Sequence, residues 1–308
     1  MHILSGRLLS PLVGLILLAA CGSSITIKLP EAAPAGAQPP KGYSLLYSPA
    51  PHAFRFAESP EPVRRGTRSE RFELREGDCG GSDCGAQRAR AEIIENPQAA
   101  EARLNRDIWY GMGFYNGSIN AVTADTALGT TILQWKQEGE LPPIFRFVQV
   151  APNPRGWAGC SSGVCTPGGA AQHDVVVQLD AMAQAAGWGP AQNGGRICRL
   201  FSMAEAQGRW TDIVINTNFG TDAYGYLRVW VDGALRCDYR GQLVPPGSTL
   251  PPTNRRGIFN SYTARWAERF GATPKPTLIA YFDEFRAGAS RVEVDPRVHD
   301  LDGTRPVD

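Results

Sequence analysis

Short segments of alternating apolar and polar residues, separated by turn sequences, dominate the chain from residue 69 to residue 288. Successive side chains of a β-strand point to opposite faces, so this alternation is typical of strands with one buried face. "YLRVWVDG" ends in an Asp232-Gly233 pair, which favours a hairpin turn. Helical periodicity is confined to short pieces such as 179–187 and 262–271. The pattern predicts an all-β sandwich or jelly roll.

The first residues predict export. Arg7 precedes an apolar run from Leu8 to Ala20, which is shorter than the ~20 residues that span a bilayer and fits a secretory signal. The run ends in Leu-Ala-Ala-Cys, which resembles a bacterial lipobox and implies lipidation of Cys21 and anchoring in a lipid bilayer. The alternative is an ordinary signal peptide with an incidental cysteine. We expect a protein of the bacterial cell envelope, lipid-anchored at the outer membrane or cell surface, or secreted.

Composition divides the chain into four parts. Residues 1–20 are the predicted lipoprotein signal peptide. Residues 21–50 are rich in Pro, Ala and Gly and are predicted to be a tether, because they cannot bury enough apolar side chains to fold. Residues 51–294 are predicted to form one large β domain, and 295–308 a polar C-terminal tail. We expect the protein to be a monomer.

The chain contains 7 cysteines, and an even number remains when Cys21 is set aside. An even number in an exported protein indicates disulfides. Two pairs share one local pattern, "CGGSDC" and "CSSGVC", with small residues between the sulfurs. A metal site is the alternative, although the C-x4-C spacing has no histidine ligands nearby. We predict three disulfides, namely Cys79–Cys84, Cys160–Cys165 and Cys198–Cys237.

The formal net charge is +1, so no strong overall field attracts a polyanion, and we expect no nucleic-acid partner. In "TTILQWKQEG", Gln134 and Lys136 stand two residues apart and face one side of a predicted strand, with Trp135 on the other side. Most basic residues are arginines, and Lys136 is the lysine inside a clear strand pattern. The pair is either a solvated sheet surface or part of a site.

The order of the segments resembles the heparin lyase I and glucuronan lyase group of polysaccharide lyases. The matching segments cover nearly all of residues 68–288 and are "RFELREGD", "RAE", "WYGMGF", "ILQWK", "PIFRF", "GRWTDIVINTNFG", "GYLRVWVDG", "GIFNSY" and "YFDEFRAG". The resemblance implies a concanavalin-like jelly roll with a concave carbohydrate-binding groove and an anionic, uronate-containing polysaccharide as substrate. It implies no cofactor for the chemistry. Members of the group can hold a structural calcium ion, and Asp283 and Glu284 are acidic groups that suit either such an ion or a structural hydrogen-bond site beside the last strand.

Such lyases cleave by β-elimination, in which a base removes the C5 proton and an acid protonates the departing O4. Donors must neutralise the neighbouring carboxylate, and His, Lys or Tyr must move the protons. Gln134 matches the neutralising glutamine of the family, and Arg90 shares that task or holds a neighbouring uronate. A surface ladder of exchanged charges is the alternative for Arg90 and its neighbours. Further predicted substrate contacts are polar residues of the same segments: Arg88, Arg146, Asn260 and Arg256.

The chain departs from the family pattern at two positions. Lys136 stands where members carry a histidine, and it can be the base only if burial or nearby cations lower its pKa from ~10.4. Otherwise it binds the negative charge of the substrate. Phe259 stands where members often carry a tyrosine and has no hydroxyl, so Tyr262 is the predicted proton donor. His52 and His173 are further candidates for proton transfer.

We therefore predict a secreted, lipid-anchored polysaccharide lyase-like protein that cleaves a uronic-acid-containing glycan. The alternative is a non-catalytic carbohydrate-binding lipoprotein that kept the groove and lost the base. A glycosidase is a third hypothesis, with Glu92 and Asp283 as the two carboxylates that it requires. The lyase hypothesis predicts that the Tyr262 hydroxyl and the Lys136 amine converge over a groove that they share with Gln134.

Overall fold

The computed structural model describes residues 38–45, 47–100, 103–119, 129–139, 142–150, 173–187 and 194–308. The predicted signal peptide, Cys21, most of the predicted tether and the predicted Cys160–Cys165 disulfide lie outside these residues. No helix in the described part of the chain has the length and apolar character needed to cross a membrane.

The described residues form fourteen strands and four short α-helices, with one 3-10 turn at Pro97–Ala100. The strands are β1 (Tyr43–Leu45), β2 (Phe54–Glu58), β3 (Arg68–Leu74), β4 (Arg88–Glu95), β5 (Ile108–Asn116), β6 (Gly129–Lys136), β7 (Phe145–Gln149), β8 (Asp174–Gln178), β9 (Arg196–Ser202), β10 (Trp210–Thr217), β11 (Tyr226–Val231), β12 (Ala234–Arg240), β13 (Thr253–Ser261) and β14 (Leu278–Gly288). The helices are α1 (Ser82–Gly85), α2 (Asp180–Ala185), α3 (Ala264–Phe270) and α4 (Pro296–Asp302).

Two antiparallel sheets of seven strands each face one another. Sheet I has the order β1-β4-β13-β6-β7-β8-β9, and sheet II the order β12-β11-β10-β5-β14-β3-β2. Strand β13 comes late in the chain but lies between β4 and β6, so it brings three distant segments side by side. The predicted all-β jelly-roll sandwich is confirmed. Strand β1 lies within the predicted tether, and α4 within the predicted tail.

The core between the sheets is built from the buried side of each alternating strand. In sheet I, Leu133 and Trp135 of β6 are fully buried, as are Phe145 and Phe147 of β7. The Trp135 ring lies 4.8 Å from the Tyr110 ring of sheet II and 4.9 Å from the Phe145 ring, measured between centroids. Burying such large rings supplies much of the apolar stabilisation of a sandwich. The intervening residues of each strand therefore face away from the core.

Two of the three predicted disulfides lie in the described residues and are present. Cys79–Cys84 closes a short loop that contains α1, with Cα atoms 5.1 Å apart. Cys198 of β9 and Cys237 of β12 are buried and joined, with Cα atoms 5.5 Å apart. Because β9 belongs to sheet I and β12 to sheet II, the second disulfide links the two sheets at one edge.

Replacing Cys198 and Cys237 together by alanine should lower the free energy of unfolding by about 4 kcal/mol, because a bond that closes a long loop restricts the unfolded chain more. The sequence separation is 39 for this pair and 5 for Cys79–Cys84. The matched double alanine variant of Cys79 and Cys84 should therefore lose only about 2 kcal/mol. Urea unfolding measures both values, and a larger loss for the short loop would contradict the prediction.

Candidate active site

Gln134 lies in the middle of sheet I, directly between two arginines. It pairs in register with Arg255 of β13 on one side and with Arg146 of β7 on the other. Residues directly opposite in antiparallel strands point to the same face, and the strands lie ~4.8 Å apart. Because Leu133 and Trp135 point into the core, this row faces outward. We call Arg255, Gln134 and Arg146 the polar row.

A chain of charged groups holds the side chain of Gln134. Its Nε2 donates to Oε1 of Glu92 at 2.6 Å, and Oε2 of Glu92 accepts from Nη1 of Arg90 at 2.9 Å. Arg90 also donates to both carboxylate oxygens of Asp83. A carboxylate only accepts, so the amide must turn its NH2 group toward Glu92. We call Asp83, Arg90, Glu92 and Gln134 the support chain; it orients the amide.

Arg90 is a positioning residue in this arrangement. Its side chain is buried, with 6% of the residue surface exposed, and its donors are directed to Asp83 and Glu92. The geometry therefore does not support the prediction that Arg90 contacts a uronate directly. Its acidic partners compensate its charge, and its contribution is to hold Glu92 against Gln134.

Arg255 is a further candidate site residue, which the sequence analysis missed. Its Nη2 lies 3.4 Å from Oε1 of Glu138, and its buried Nε has no hydrogen-bond partner among the described residues. It stands beside Gln134 on the outward face of β13, so it can present N–H groups to an anion there. The sequence contained a signal for Arg255: it lies an odd number of residues from the apolar Ile258 and therefore points to the opposite face of the strand.

The same alternation excludes two predicted substrate contacts. Arg256 and Asn260 share the parity of Ile258 and point between the sheets. Arg256 is 1% exposed, and its guanidinium donates to both oxygens of Glu70 at 2.6 and 2.5 Å. The fully buried Asn260 donates to Thr130 at 2.9 Å. Neither side chain reaches the outer face, because each one is satisfied inside the sandwich.

Lys136 is half-buried at the end of β6, two residues beyond Gln134. Its Nζ donates to the carbonyl oxygen of Gly139 at 2.8 Å. Burial lowers the pKa of the amine, and the positive charge of Arg255 lowers it further, while Glu138 acts in the opposite direction. The direction of this pKa shift is the one that a lysine needs in order to accept a proton near neutral pH.

Arg146 completes the row with a shared carboxylate. Its Nε lies 2.7 Å from Asp180, and its Nη2 lies 3.4 Å from Oε1 of Gln178. Gln178 pairs in register with Arg196 of β9. Burial lowers the pKa of Arg196, and the positive charge of Arg146 lowers it further. Two guanidinium groups thus share Asp180, so this end of the row carries an excess of positive charge. Arg88 is exposed on β4, opposite Ser261.

Tyr262 and Lys136 do not converge. Tyr262 follows Ser261, which pairs with Gly129 at the start of β6, whereas Lys136 at the end of β6 pairs with Thr253. At ~3.3 Å per residue the two positions are roughly 25 Å apart along the strand. Tyr262 is 55% exposed, and its ring faces the solvent at the far end of sheet I. The predicted proton donor is therefore not part of the polar row.

A different tyrosine contacts the support chain. The ring centroid of Tyr47 lies 5.4 Å from Cζ of Arg90, and that of Phe259 lies 4.6 Å from the same atom. The sequence analysis missed Tyr47 because it falls in the Pro-rich segment that was predicted to be a tether. The other two proton-transfer candidates have partners elsewhere: His52 lies 2.7 Å from Asp78, and His173 lies 3.4 Å from Gln149.

Asp283 and Glu284 do not suit a calcium ion. The oxygens of Asp283 accept backbone N–H groups of Arg64, Arg65 and Glu284. Glu284 accepts from Arg65 and Arg286. These donors occupy the lone pairs, and two guanidinium groups repel a cation. Within the described ranges, no cluster of three or more His, Cys, Asp or Glu residues has a metal-binding arrangement.

The two carboxylates of the glycosidase hypothesis lie on different sheets. Glu92 belongs to β4 of sheet I, and Asp283 belongs to β14 of sheet II. Both are buried, and Glu92 is committed to the support chain. They cannot stand on opposite sides of one sugar ring, as a glycosidase requires.

A pocket of about 290 Å³ lies beside Arg88, and the buried Lys275 lines it. The Nζ of Lys275 donates to Oδ1 of Asn260 at 3.2 Å, and burial lowers the pKa of this amine. The unfolded chain therefore binds more protons at this group than the folded chain does. Stability from this group is complete above about pH 10.4 and is lost as the pH falls through the lowered pKa.

Lys275→Met should remove that pH dependence, since methionine has a similar shape and no titrating amine. The difference in unfolding free energy between the wild type and this variant should rise as the pH increases from the lowered pKa toward about 10.4. Urea unfolding at a series of pH values measures it. Lys41→Met, which removes an amine at an exposed position, is the matched control. A difference that stays constant across the series would contradict the assignment.

Comparisons with known proteins bear on this site. Residues 46–286 match the sequence pattern of a family described as polysaccharide lyase. No curated protein matches the chain in sequence.

Three solved structures are among those to which the chain is similar. An endo-β-1,4-glucuronan lyase from the fungus Trichoderma reesei is 14% identical, with a TM-score of 0.49, and the match covers 85% of this chain and 97% of that one. An alginate lyase of Polysaccharide Lyase family 7 is 9% identical, with a TM-score of 0.44 and coverages of 71% and 77%. The catalytic domain of a GH131 β-glucanase from Podospora anserina is 11% identical, with a TM-score of 0.45 and coverages of 74% and 75%.

Proposed function

This chain belongs to the polysaccharide lyase family, and we propose that it cleaves a uronic-acid-containing glycan by β-elimination at the polar row. One observation carries the proposal: Gln134 stands in register between Arg255 and Arg146 on the outward face of sheet I. A carboxylate placed over Gln134 would meet an amide and two guanidinium groups. These donors bind carboxylates well and cannot themselves act as bases under working conditions.

Neutralising the carboxylate is the main requirement of the reaction. The C5 proton is only weakly acidic while the neighbouring carboxylate is ionised, and negative charge grows on the carboxylate oxygens as that proton leaves. Donors that already point at those oxygens stabilise this charge without reorganising. The support chain provides such preorganisation, because Glu92 holds one N–H of Gln134 and fixes the direction of the amide. Glu92 itself repels the substrate little, since Arg90 compensates its charge.

Lys136 is the proposed base. It stands two residues from Gln134 on the same face of β6, and burial together with Arg255 lowers the pKa of its amine. The neutral amine would turn from the carbonyl of Gly139 toward C5 and accept the proton. This role requires no metal ion and no cofactor, which stays a prediction.

Export and lipid anchoring complete the proposal. The disulfides Cys79–Cys84 and Cys198–Cys237 are typical of an extracellular protein. The Leu-Ala-Ala-Cys sequence supports lipidation of Cys21, which would hold the enzyme at the surface of a bacterial envelope, where a polymer can reach it.

A non-catalytic carbohydrate-binding protein is the second candidate. It is favoured by Phe259, which has no hydroxyl, and by the distance between Tyr262 and Lys136 along β6. Such a protein would keep the cationic row for binding and lack a proton donor. The two candidates differ in whether the bound glycan is cut.

Gln134→Ala should lower kcat by roughly 100- to 1,000-fold, the usual effect of removing one preorganised donor. The purified protein, without residues 1–37, would be incubated with glucuronan, alginate, heparin, heparan and chondroitin chains, and the ultraviolet absorbance of the unsaturated uronate product would be followed. Gln207→Ala is the control, because Gln207 is exposed beside β5 of sheet II, whereas the polar row lies on sheet I. A flat trace for the wild type with every polymer, together with retention of one polymer on the immobilised protein, would establish the binding protein.

The variant Lys136→Arg tests whether Lys136 accepts the proton or only binds the negative charge of the substrate. Arginine keeps the positive charge but stays protonated, so kcat should fall by roughly 100-fold or more while KM changes little. In the wild type, kcat should rise with pH as the amine loses its proton, and the variant should lack that rise. Steady-state rates across a pH series measure both effects. An arginine variant with the kcat of the wild type would mean that Lys136 binds the substrate and that another group is the base.

A further inference from the structure

We propose that Tyr47 donates the proton to the departing glycosidic oxygen, in place of the hydroxyl that Phe259 lacks. The inference rests on the proposed lyase function. It begins from Arg90, whose guanidinium contacts both rings: Cζ lies 4.6 Å from the centroid of Phe259 and 5.4 Å from that of Tyr47. The two centroids can be no farther apart than the sum of these distances. A phenol at either position is thus held against the same group of the support chain.

Arg90 is a fixed reference for both rings. Asp83 and Glu92 accept its hydrogen bonds, and all three side chains are buried. Glu92 in turn orients Gln134, so one continuous set of contacts joins the ring of Tyr47 to the amide that would neutralise the substrate. The cation–π attraction between the Arg90 guanidinium and the Tyr47 ring favours this placement.

The backbone holds Tyr47 in an unusual conformation. Its φ angle is 58°, in the left-handed region, which costs a non-glycine residue of order 1–2 kcal/mol. The contacts of the next residue maintain this conformation: Ser48 donates to the carbonyl of Arg90 at 3.1 Å and accepts from the N–H of Glu92 at 3.2 Å. The segment is therefore tied directly to β4, and the tie sets the direction of the tyrosine side chain.

The loop beside Tyr47 leaves room for its ring. A Cβ atom on Gly81 would lie 2.6 Å from Cδ1 and Cε1 of Tyr47, so the ring packs where any other residue would clash. The disulfide Cys79–Cys84 closes this loop around the glycine. Tyr47 is half-buried, so its ring is held but not enclosed.

The other tyrosines are placed elsewhere. Tyr43 is directed to the inner side of sheet I, where its ring lies 4.2 Å from Cζ of Arg256, and Tyr262 stands at the far end of β13. The remaining six belong to sheet II or its loops: Tyr110, Tyr115, Tyr224, Tyr226, Tyr239 and Tyr281. Of the nine tyrosines, Tyr47 is the one whose ring contacts the support chain in the described residues.

The step balances without any further reactant. Lys136 takes the C5 proton, and the electron pair of that C–H bond forms the C4=C5 double bond. The C4–O4 bond breaks, and O4 takes the proton of the Tyr47 hydroxyl. Lys136 then releases its proton to water, and the Tyr47 phenolate takes one from water, which restores both groups.

The test moves one hydroxyl between the two rings. Tyr47→Phe should lower kcat by roughly 100-fold or more with little change in KM, because general acid catalysis contributes about that much. Phe259→Tyr in the Tyr47→Phe background should recover at least tenfold of the lost kcat. Tyr224→Phe makes the same chemical change at a position that is 84% exposed on the loop between β10 and β11 of sheet II, and it should leave kcat unchanged. Thermal unfolding of each variant verifies that the fold is kept.

Three results would overturn the inference while leaving the lyase function intact. They are a Tyr47→Phe variant with wild-type kcat, a loss confined to KM, and a double variant no faster than Tyr47→Phe alone. A wild type that releases no unsaturated product from any glycan would instead overturn the proposed function and this inference together. Loss of kcat followed by its recovery in the double variant is the expected result.

Discussion

The ion pair between Arg256 and Glu70 is the contact on which the site depends. It joins β13 of sheet I to β3 of sheet II inside the core, and the rings of Tyr43 and Phe285 each lie 4.2 Å from the guanidinium carbon. A buried guanidinium that lost its carboxylate would be strongly destabilising, so β13 cannot slip by one residue, which would turn Arg256 outward. With Arg256 fixed inward, Arg255 must face outward beside Gln134. The register that stabilises the sandwich therefore also assembles the polar row.

The buried support chain and the outward polar row have different roles in the candidate site. The support chain places two carboxylates against one guanidinium and one amide, and such a network is stable only because each member has its partners. Its negative charge is held below the surface of sheet I. The polar row carries the positive charge that faces outward, where Arg146 and Arg196 share the single carboxylate of Asp180. An anionic chain would thus meet cations first, with the acids committed to orienting Gln134.

Part of the candidate site could be placed from the sequence, and the misplaced residues have physical causes. Gln134, Lys136 and Arg146 could be placed on the outward face, because local alternation puts them on one face of their strands. Arg256 and Asn260 were chosen for their polarity, although they share the parity of the apolar Ile258 and are buried. Polar residues in a core are exceptions that tertiary contacts make stable, to Glu70 of the other sheet for Arg256 and to Thr130 of the neighbouring strand for Asn260. No local pattern reveals such contacts. Tyr262 was chosen for nearness in sequence to Phe259, yet along the strand it lies far from Lys136.

The sequence by itself determined the features that depend on residues close together in the chain. These are the strand alternation, the two-sheet sandwich and the Cys79–Cys84 disulfide across a short loop. The tertiary structure alone decided which segments meet. It put β13 between β4 and β6, set Arg255 beside Gln134, and brought Tyr47 from the Pro-rich entry segment onto Arg90. The physical reason is that strand propensity and alternation act over a few residues, whereas these contacts follow from strand order and from the burial of Arg256 with Glu70.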